Sequence, residues 1–386
     1  MDFEFNEAQL LLKQTVRDFA QKEIAPVVPE LEREERFPLE LVRSLGQQGF
    51  LAPTISQEYG GGGMGMVFSS IILEELGRVS PLMVSCCISH STMCSDTLFR
   101  HGNEEQRKKY LSALCSGEKI GALAITEPNA GSDAMGMQTK AEREKSDYVL
   151  NGTKTFITNA GVADLVLLYA KTDPSKGPKG ISAFLIEKGF PGFSVVREID
   201  KLGLRGSACV ELSLEDCRVP EDNLLGQEGA GIAILMSGLN RERISCAAGL
   251  TGEAQGAFEL ALDYAKKREQ FGKAIINFQL IQARLADMGM AIEASRLLAY
   301  RAASLSDEGK EGVTLAASYA KLFASETAVK VAWDACHIFG GYGYTKEFPV
   351  ERFMRDIGIA EVGAGSSEVQ RVIIARELSQ LPLSFT

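Results

Sequence analysis

The sequence predicts an α+β protein with an N-terminal helical domain, a middle β-barrel or sandwich domain and a C-terminal four-helix bundle. Apolar residues recur at helical spacing over residues 6–116, β-type runs with turn signals occupy residues 121–219, and helical spacing returns after Gly226. This order of helices, strands and helices disfavours alternating βαβ units and therefore a Rossmann fold. We place the domains at residues 1–120, 121–226 and 227–386.

The composition is that of an ordinary soluble globular protein. The chain has 386 residues, 45% of them hydrophobic, and a net charge of -10, which argues against binding to nucleic acid or to an anionic membrane. No apolar run approaches the roughly 20 residues that span a bilayer. The eight cysteines form no C-x-x-C pair and only three histidines exist, so no metal site is expected. Without signal or transit features at its N-terminus, the chain is expected in a reducing cytoplasm.

The N-terminal part shows two helix starts and one glycine-rich loop. Asn6 with Gln9, and Asn103 with Gln106, have the spacing of capping boxes. Gly60–Gly63 imitates a phosphate-binding loop, but no strand precedes it and no Gly-Lys-Ser/Thr follows, so we interpret it as a flexible loop.

The middle part carries the β signals. Strands are predicted at Tyr148–Leu150, Thr155–Thr158, Leu165–Ala170 and Ile181–Ile186, and Asn151–Gly152 predicts a hairpin turn between the first two.

The C-terminal part predicts four helices, at Gly231–Ala265, Phe278–Leu305, Val313–Ile338 and Glu368–Leu378. Such helices pack naturally as an antiparallel bundle. Gly340 and Gly341 follow the third helix, where they either end the helix in a left-handed conformation or allow close approach of the backbone to a ligand.

Glu242 places a carboxylate on the apolar stripe of the first of these helices. Leu235, Leu239, Cys246 and Leu250 surround it at helical spacing. A buried carboxylate either pairs with a cation or has its pKa raised into the range useful for proton transfer. Arg241 and Arg243 are candidate partners, so a structural ion pair and a catalytic base both remain open at this point.

Three motifs together resemble the acyl-CoA dehydrogenases: Ala124–Asp133, Arg268–Lys273 and Phe339–Tyr344, with Leu202–Ser207 and Asn151–Lys154 in the same order. The resemblance extends over almost the whole chain. It implies the three-domain fold above, one FAD per subunit and a homotetramer built as a dimer of dimers. It also implies that a glutamate removes the α-proton of an acyl-CoA, that the β-hydride passes to flavin N5, and that electrons leave to an electron-transfer flavoprotein.

The resemblance also implies residues for the cofactor. Thr158 would face flavin N5, and Phe156 stands where many relatives carry tryptophan. Arg268 and Gln279 would hold the FAD pyrophosphate across the subunit interface. His337 departs from the Gln, Asp or Glu usual at its position. The full set of expected FAD contacts is Leu123, Ile125, Thr126, Gly131, Ser132, Phe156, Ile157, Thr158, Arg268, Phe271, Gln279, His337, Gly340, Gly341, Ser366, Ser367 and Glu368.

The position of the base departs from the common family pattern. Most relatives carry the glutamate just before the last helix, where this chain has Ala364. A minority, including isovaleryl-CoA dehydrogenases, carry it on the first bundle helix, and the matching position is Glu242. The resemblance therefore favours Glu242 as base and the Ala364 N–H as a donor to the thioester carbonyl. Substrate contacts are expected from Ser132, Asn240, Arg243, Gly363, Ala364 and Gly365.

The small residues Gly363, Ala364 and Gly365 leave room beside the acyl α and β carbons, which favours a short branched acyl group of the isovaleryl type. Such a substrate suits the degradation of fatty acids or branched-chain amino acids. An alicyclic or other acyl-CoA is the first alternative. A flavin-binding scaffold that lost the chemistry, and an acyl-CoA oxidase, are alternatives of other kinds.

Overall fold

The computed structural model of the protein describes residues 4–380. The first part of this range is entirely helical. Two capping boxes confirm the predicted helix starts, since Asn6 and Gln9 exchange hydrogen bonds at 3.0 and 2.9 Å, and Asn103 and Gln106 do so at 3.1 and 2.9 Å. The helices are α1 (Glu7–Phe19), α2 (Val28–Glu34), α3 (Leu39–Gln47), α4 (Met66–Gly77), α5 (Pro81–Cys87), α6 (Asp96–His101) and α7 (Glu104–Cys115). A π-helical segment, Ile88–Ser95, joins α5 to α6.

The middle part forms one eight-stranded sheet. Its strands are β1 (Gly121–Ala124), β2 (Lys140–Glu144), β3 (Asp147–Ile157), β4 (Leu165–Lys171), β5 (Ile181–Glu187), β6 (Phe193–Glu198), β7 (Val210–Pro220) and β8 (Leu224–Leu225). The strand order is β6-β7-β3-β2-β4-β5-β8, and β1 pairs in parallel with β4. The other long pairings are antiparallel, which confirms the predicted α+β class.

The predicted hairpin at Asn151–Gly152 is wrong. Both residues lie inside β3, where the register against β7 shifts between Leu150 and Gly152 as in a β-bulge. A side chain at Gly152 would collide with Thr139, because an added Cβ would lie 2.5 Å from its hydroxyl oxygen. The hairpin lies earlier, between β2 and β3, with Lys145 at φ +56° in its turn. Glycine marks close backbone approach here, not a turn.

The four predicted C-terminal helices are confirmed. They are α8 (Gly231–Lys267), α9 (Gln279–Asp307), α10 (Val313–Phe339) and α12 (Ser367–Ser379), with the short strands β9 (Glu269–Gln270) and β10 (Lys273–Ala274) after α8. A further short helix, α11 (Val350–Ile357), precedes α12. Helices α8, α9 and α10 pack against each other through a core rich in alanine, and α12 packs against α10. Small side chains at these contacts let the helix axes approach closely.

All eight cysteines are free thiols, and seven of them are buried. None of the helices between residues 4 and 380 is long and apolar enough to cross a membrane.

Candidate active site

Glu242 lies in the N-terminal half of α8 and is only 6% exposed. Within residues 4–380, no hydrogen bond or ion pair reaches its carboxylate. Burial raises its pKa to about 7, while the positive charges of Arg243 and Lys321 act in the opposite direction. A carboxylate with this pKa is half ionised near neutral pH, as a general base requires.

The candidate ion-pair partners of Glu242 are engaged elsewhere. Arg241 donates two hydrogen bonds to Asp96, at 2.7 and 3.1 Å, and so points toward α6. Arg243 donates to the side-chain oxygen of Asn240 at 2.9 Å, and its buried Nε has no partner among the residues described. The interpretation of Glu242 as half of a structural ion pair is therefore wrong. Asn240 and Arg243 flank Glu242 along the helix, two residues before it and one residue after it, and their side chains pair with each other.

The turn before α12 carries the predicted carbonyl donor. Ala364 has φ +55° and Gly365 has φ +81°, so two consecutive residues adopt the left-handed region. The Ala364 N–H has no acceptor within the described part of the chain. Lys321 of α10 connects this turn to Glu242, because its ammonium group donates to Gly365 O at 2.7 Å and its charge acts on the Glu242 carboxylate. Ser366 caps α12, accepting from Val369 N, with Ser367 and Glu368 in the first turn.

The flavin contacts implied for the sheet lie on neighbouring segments. Thr155 N donates to Thr126 O at 2.9 Å, which joins β3 to the segment that carries Gly131 and Ser132. Phe156 has φ +59° and its side chain is 64% exposed, although Ile157 beside it is buried. Thr158 follows the strand, and its carbonyl accepts from Ser89. An exposed aromatic ring at this edge offers a flat wall for a flavin ring.

The sheet segment and α8 share one hydrophobic cluster. Leu123, Ile125 and Leu239 each pack against this cluster, and Leu239 lies about one helical turn before Glu242. The segment predicted to contact the flavin ring and the helix that carries the predicted base therefore border the same core.

Two buried cations in this region were assigned no role from the sequence. Lys154 is fully buried and donates to Glu127 at 2.8 Å and to Ile125 O at 3.0 Å. Lys321 is 1% exposed. Glu127 and Lys154 both lie inside motifs that carry the family resemblance, which was the available signal. Lys321 stands in an apolar helix, and nothing in its local pattern pointed to the turn that it contacts.

A second group of predicted cofactor residues lies at the far end of α8. Arg268 follows the helix and stands 5.8 Å from the ring centre of Tyr342. Phe271 is 94% exposed, and Gln279 begins α9. Gly340 ends α10 with φ +62° and ψ −135°, so the helix ends where predicted, but the glycine does not adopt the predicted left-handed helical conformation. An added Cβ at Gly340 or Gly341 would meet no atom within 4 Å. His337 is exposed and contacts Trp333 edge-on.

The two groups are far apart within one chain. Glu242 and Arg268 are the two ends of 26 residues of nearly continuous helix, which corresponds to about 39 Å at about 1.5 Å per residue. This separation exceeds the length of an extended FAD molecule. Among residues 4–380 no hydrogen bond or ring contact links the two groups.

The residues present fit FAD. An exposed aromatic ring and buried strand atoms suit the flavin, whereas exposed Arg268, the open glycine backbone at Gly340 and Gly341, and the uncovered Phe271 suit the pyrophosphate and adenosine.

Comparison with protein families gives three consecutive matches. The models described as acyl-CoA dehydrogenase N-terminal domain, middle domain and C-terminal domain match residues 6–118, 122–217 and 229–379.

Two curated relatives align over nearly the whole chain. A short-chain-specific acyl-CoA dehydrogenase of Clostridium acetobutylicum is 46% identical over 378 residues, covering 98% of this chain and 100% of the relative. A mitochondrial isovaleryl-CoA dehydrogenase of Solanum tuberosum is 44% identical over 376 residues, covering 97% and 91%.

Two solved structures share the fold at similar identity. A chain from the structure of the electron transferring flavoprotein of Acidaminococcus fermentans has a TM-score of 0.96 and 42% identity, covering 99% of this chain and 100% of that chain. Butyryl-CoA dehydrogenase from Megasphaera elsdenii has a TM-score of 0.95 and 40% identity, covering 98% and 100%.

Proposed function

Because the chain belongs to the acyl-CoA dehydrogenase family of FAD-dependent oxidoreductases, we propose that it converts a short branched acyl-CoA to the 2-enoyl-CoA. Glu242 removes one α-proton, and a bound FAD would accept the β-hydride with its two electrons. The carbon–carbon double bond forms between the α and β carbons. FAD supplies the hydride acceptor, and the protein supplies the base, the carbonyl donor and the shape of the pocket.

One observation carries the proposal: within the described residues, a buried carboxylate without a hydrogen-bond partner feels the charge of Lys321, whose ammonium group donates to a turn that holds an unused N–H group. Removing the proton next to a thioester requires a base and a donor that stabilises the developing negative charge on the carbonyl oxygen. Glu242 meets the first requirement and the Ala364 N–H meets the second. Once substrate excludes water, the carboxylate loses its remaining solvation and becomes a stronger base.

The cofactor residues support a site completed by two subunits. Arg268 lies about 39 Å along α8 from Glu242, which supports binding of the pyrophosphate of an FAD near Glu242 by the Arg268 of another copy of the chain. We infer that Arg268, Phe271, Gln279, Gly340 and Gly341 serve the FAD of a neighbouring subunit. A homotetramer built as a dimer of dimers provides this arrangement twice.

The acyl pocket supports a branched substrate. Gly363, Ala364 and Gly365 put no side chain longer than a methyl group beside the reacting carbons, and the relatives include an isovaleryl-CoA dehydrogenase. The relatives also include enzymes named for short-chain and butyryl-CoA substrates, so a straight short chain is the second candidate. Electron-transfer flavoprotein is the proposed acceptor, supported by the similarity to a chain in a structure of such a flavoprotein.

Anaerobic titration of the FAD-loaded protein with butyryl-CoA, isovaleryl-CoA and a cyclohexane carboxyl-CoA tests the proposal. We expect bleaching of the flavin absorbance by all productive substrates, with the highest catalytic efficiency for isovaleryl-CoA. Equal efficiency for butyryl-CoA and isovaleryl-CoA would overturn the branched-substrate proposal. Flavin that none of the three bleaches would instead support a scaffold, and rapid oxygen consumption without another acceptor would support an oxidase.

A further inference from the structure

Lys321 is a buried cation that the proposed chemistry does not yet use. It lies on α10, is 1% exposed, and donates to Ala360 O at 3.0 Å and to Gly365 O at 2.7 Å. No carboxylate of the described chain lies within 4.0 Å of its ammonium group. A buried ammonium group without a close counter-ion is costly, and its hydrogen bonds within the described chain go to carbonyl oxygens, while the charges of Glu242 and Glu361 act on it from beyond ion-pair distance.

The two carbonyls belong to the turn 360–365, which holds an unfavourable backbone conformation. Ala364 carries a Cβ in the left-handed region, which is unfavourable, and such a conformation persists only when its surroundings impose it. Gln370 of α12 adds a second constraint, because its amide donates to Gly365 O at 3.2 Å and to Ala364 O at 3.4 Å. Donors from two helices therefore converge on the carbonyl side of the turn.

The other side of the turn is left free. The N–H groups of Ala364 and Gly365 have no acceptor within residues 4–380. A turn whose carbonyls are fixed and whose N–H groups are unused is preorganised to donate to a ligand oxygen. The charges of Lys321 and Glu242 also act on each other, so one residue holds the turn by hydrogen bonds and interacts electrostatically with the base.

We propose that Lys321 is a positioning residue that clamps the turn 360–365, so that the Ala364 N–H is aimed at the substrate thioester carbonyl while Glu242 takes the α-proton. This inference rests on the proposed function. It predicts that the clamp affects the rate of α-proton removal more than the binding of substrate.

Replacing Lys321 with methionine removes both donors but keeps most of the side-chain volume. We expect Lys321→Met to lower the limiting rate of flavin reduction about 10- to 100-fold, less than the loss of a whole carbonyl donor, and to change substrate Kd less than about threefold. The matched control is Ser325→Ala, because Ser325 lies one turn further along α10, donates only to Lys321 O and does not touch the turn. Its rate and affinity should match the unmodified enzyme.

A substrate analogue separates deprotonation from hydride transfer. An acyl-CoA with sulphur in place of the β carbon can lose its α-proton but has no β-hydride to give. The deprotonated analogue beside oxidised flavin gives a long-wavelength charge-transfer absorption. We expect Lys321→Met to reduce this absorption at saturating analogue, and Ser325→Ala to leave it unchanged.

Removing the Lys321 charge also raises the pKa of Glu242, whose other facing cation is Arg243 of its own helix. The rates are therefore compared at a pH above the acid limb of each variant. If the deficit of Lys321→Met disappears there, or if only stability or affinity changes, the clamp proposal is overturned. If Lys321→Met yields no folded FAD-loaded enzyme, Gln370→Met decides: a threefold to tenfold loss of rate and of charge-transfer absorption supports the clamp, and unchanged values overturn it.

The outcome is distinct from a failure of the proposed function. If Glu242→Gln reduces flavin at an undiminished rate, the assignment of Glu242 as the base is overturned. If Glu242→Gln loses the rate of flavin reduction as expected but Lys321→Met keeps it, only the clamp proposal is overturned.

Discussion

Glu127 in the sheet segment and Glu242 on α8 are equally buried, each 6% exposed, yet their surroundings are opposite. Glu127 accepts from Lys154 Nζ at 2.8 Å and from Thr139 N at 3.0 Å, among other donors. Burial alone would raise its pKa, but the Lys154 charge and these hydrogen bonds lower it overall. Glu242 accepts from no described residue, and burial raises its pKa to about 7. A buried carboxylate whose oxygens accept several hydrogen bonds and face a cation, as in Glu127, serves the structure. A buried carboxylate without such partners, as in Glu242, is available for proton transfer.

A third carboxylate limits what burial alone can indicate. Glu253, three turns further along α8, is 5% exposed and has no hydrogen bond or ion pair to the described residues. Burial, with the negative charge of Asp356, raises its pKa to about 8. Among residues 4–380, the only charge that acts on Glu253 is that of Asp356, and none of the residues expected to contact substrate or FAD is linked to it, so we assign it no chemistry. A base is identified by its neighbours as well as by its pKa.

The largest expected effect is the loss of the base. Glu242→Gln keeps the shape and removes the proton acceptor, so flavin reduction by acyl-CoA should slow by about 10³- to 10⁴-fold. Stopped-flow absorbance measures this rate. Glu253→Gln is the matched control, since it neutralises an equally buried carboxylate on the same helix and should keep the rate within about threefold. If both variants lost the same factor in the rate of flavin reduction, Glu242 could not be distinguished from Glu253 as the base.

Breaking the buried ion pair between Lys154 and Glu127 should lower the stability of the protein. Lys154→Met leaves the Glu127 carboxylate buried without its cation, so the free energy of unfolding of the apoprotein should fall by about 3–5 kcal/mol. Urea denaturation followed by far-UV circular dichroism measures this change.

The double variant Lys154→Met with Glu127→Gln serves as the control, because it removes both charges and should recover part of the loss. A double variant as unstable as the sum of the two single variants would contradict the ion-pair account.

Moving the base would sharpen the comparison. Glu242→Ala with Ala364→Glu places a carboxylate at the position that most relatives use, and should raise flavin reduction about 10- to 100-fold above Glu242→Ala alone. Recovery should be incomplete, because the longer side chain fills the space beside the reacting carbons that the small residues Gly363, Ala364 and Gly365 leave open. Single-turnover kinetics measures the recovery, and no gain over Glu242→Ala would show that the carboxylate cannot reach the α-carbon from position 364.

The smallest effect is the dependence on pH. Glu242 must be ionised to accept a proton, so kcat/KM should fall about tenfold per pH unit below about pH 7 and level off above it. The same group links pH to stability. Its pKa rises from 4.5 in the unfolded chain to about 7, so its stabilising contribution is present below pH 4.5 and is lost as pH rises toward 7.

A pH–rate profile and urea titrations between pH 5 and 8 measure both effects. In Glu242→Gln the folded protein should lose this part of the pH dependence of its stability, whereas Glu253→Gln should retain the kinetic limb near pH 7.

The sequence predicted the order of helices and strands because each segment carries its own period and its own end signals, such as the capping box at Asn103. It misplaced the hairpin at Asn151–Gly152, because the requirement for glycine came from Thr139, which directly precedes the neighbouring strand β2. The same limit applies to the site. The apolar stripe around Glu242 was visible, but the pairing of Arg241 with Asp96 joins residues 145 positions apart, which local pattern cannot reveal.

In the assembly that we propose, the long helix α8 gives each subunit a role in two sites. Its Glu242 acts in its own site, and its Arg268 binds the FAD of the neighbouring subunit. A substitution at Arg268 would then impair FAD binding in the neighbouring subunit, whereas a substitution at Glu242 would impair proton transfer in its own subunit. A mixed dimer of one Glu242→Gln subunit and one Arg268→Ala subunit would consequently concentrate both defects in a single site and leave the other intact. Two inactive preparations would complement each other on subunit exchange, and the 37 residues of one helix would be the reason.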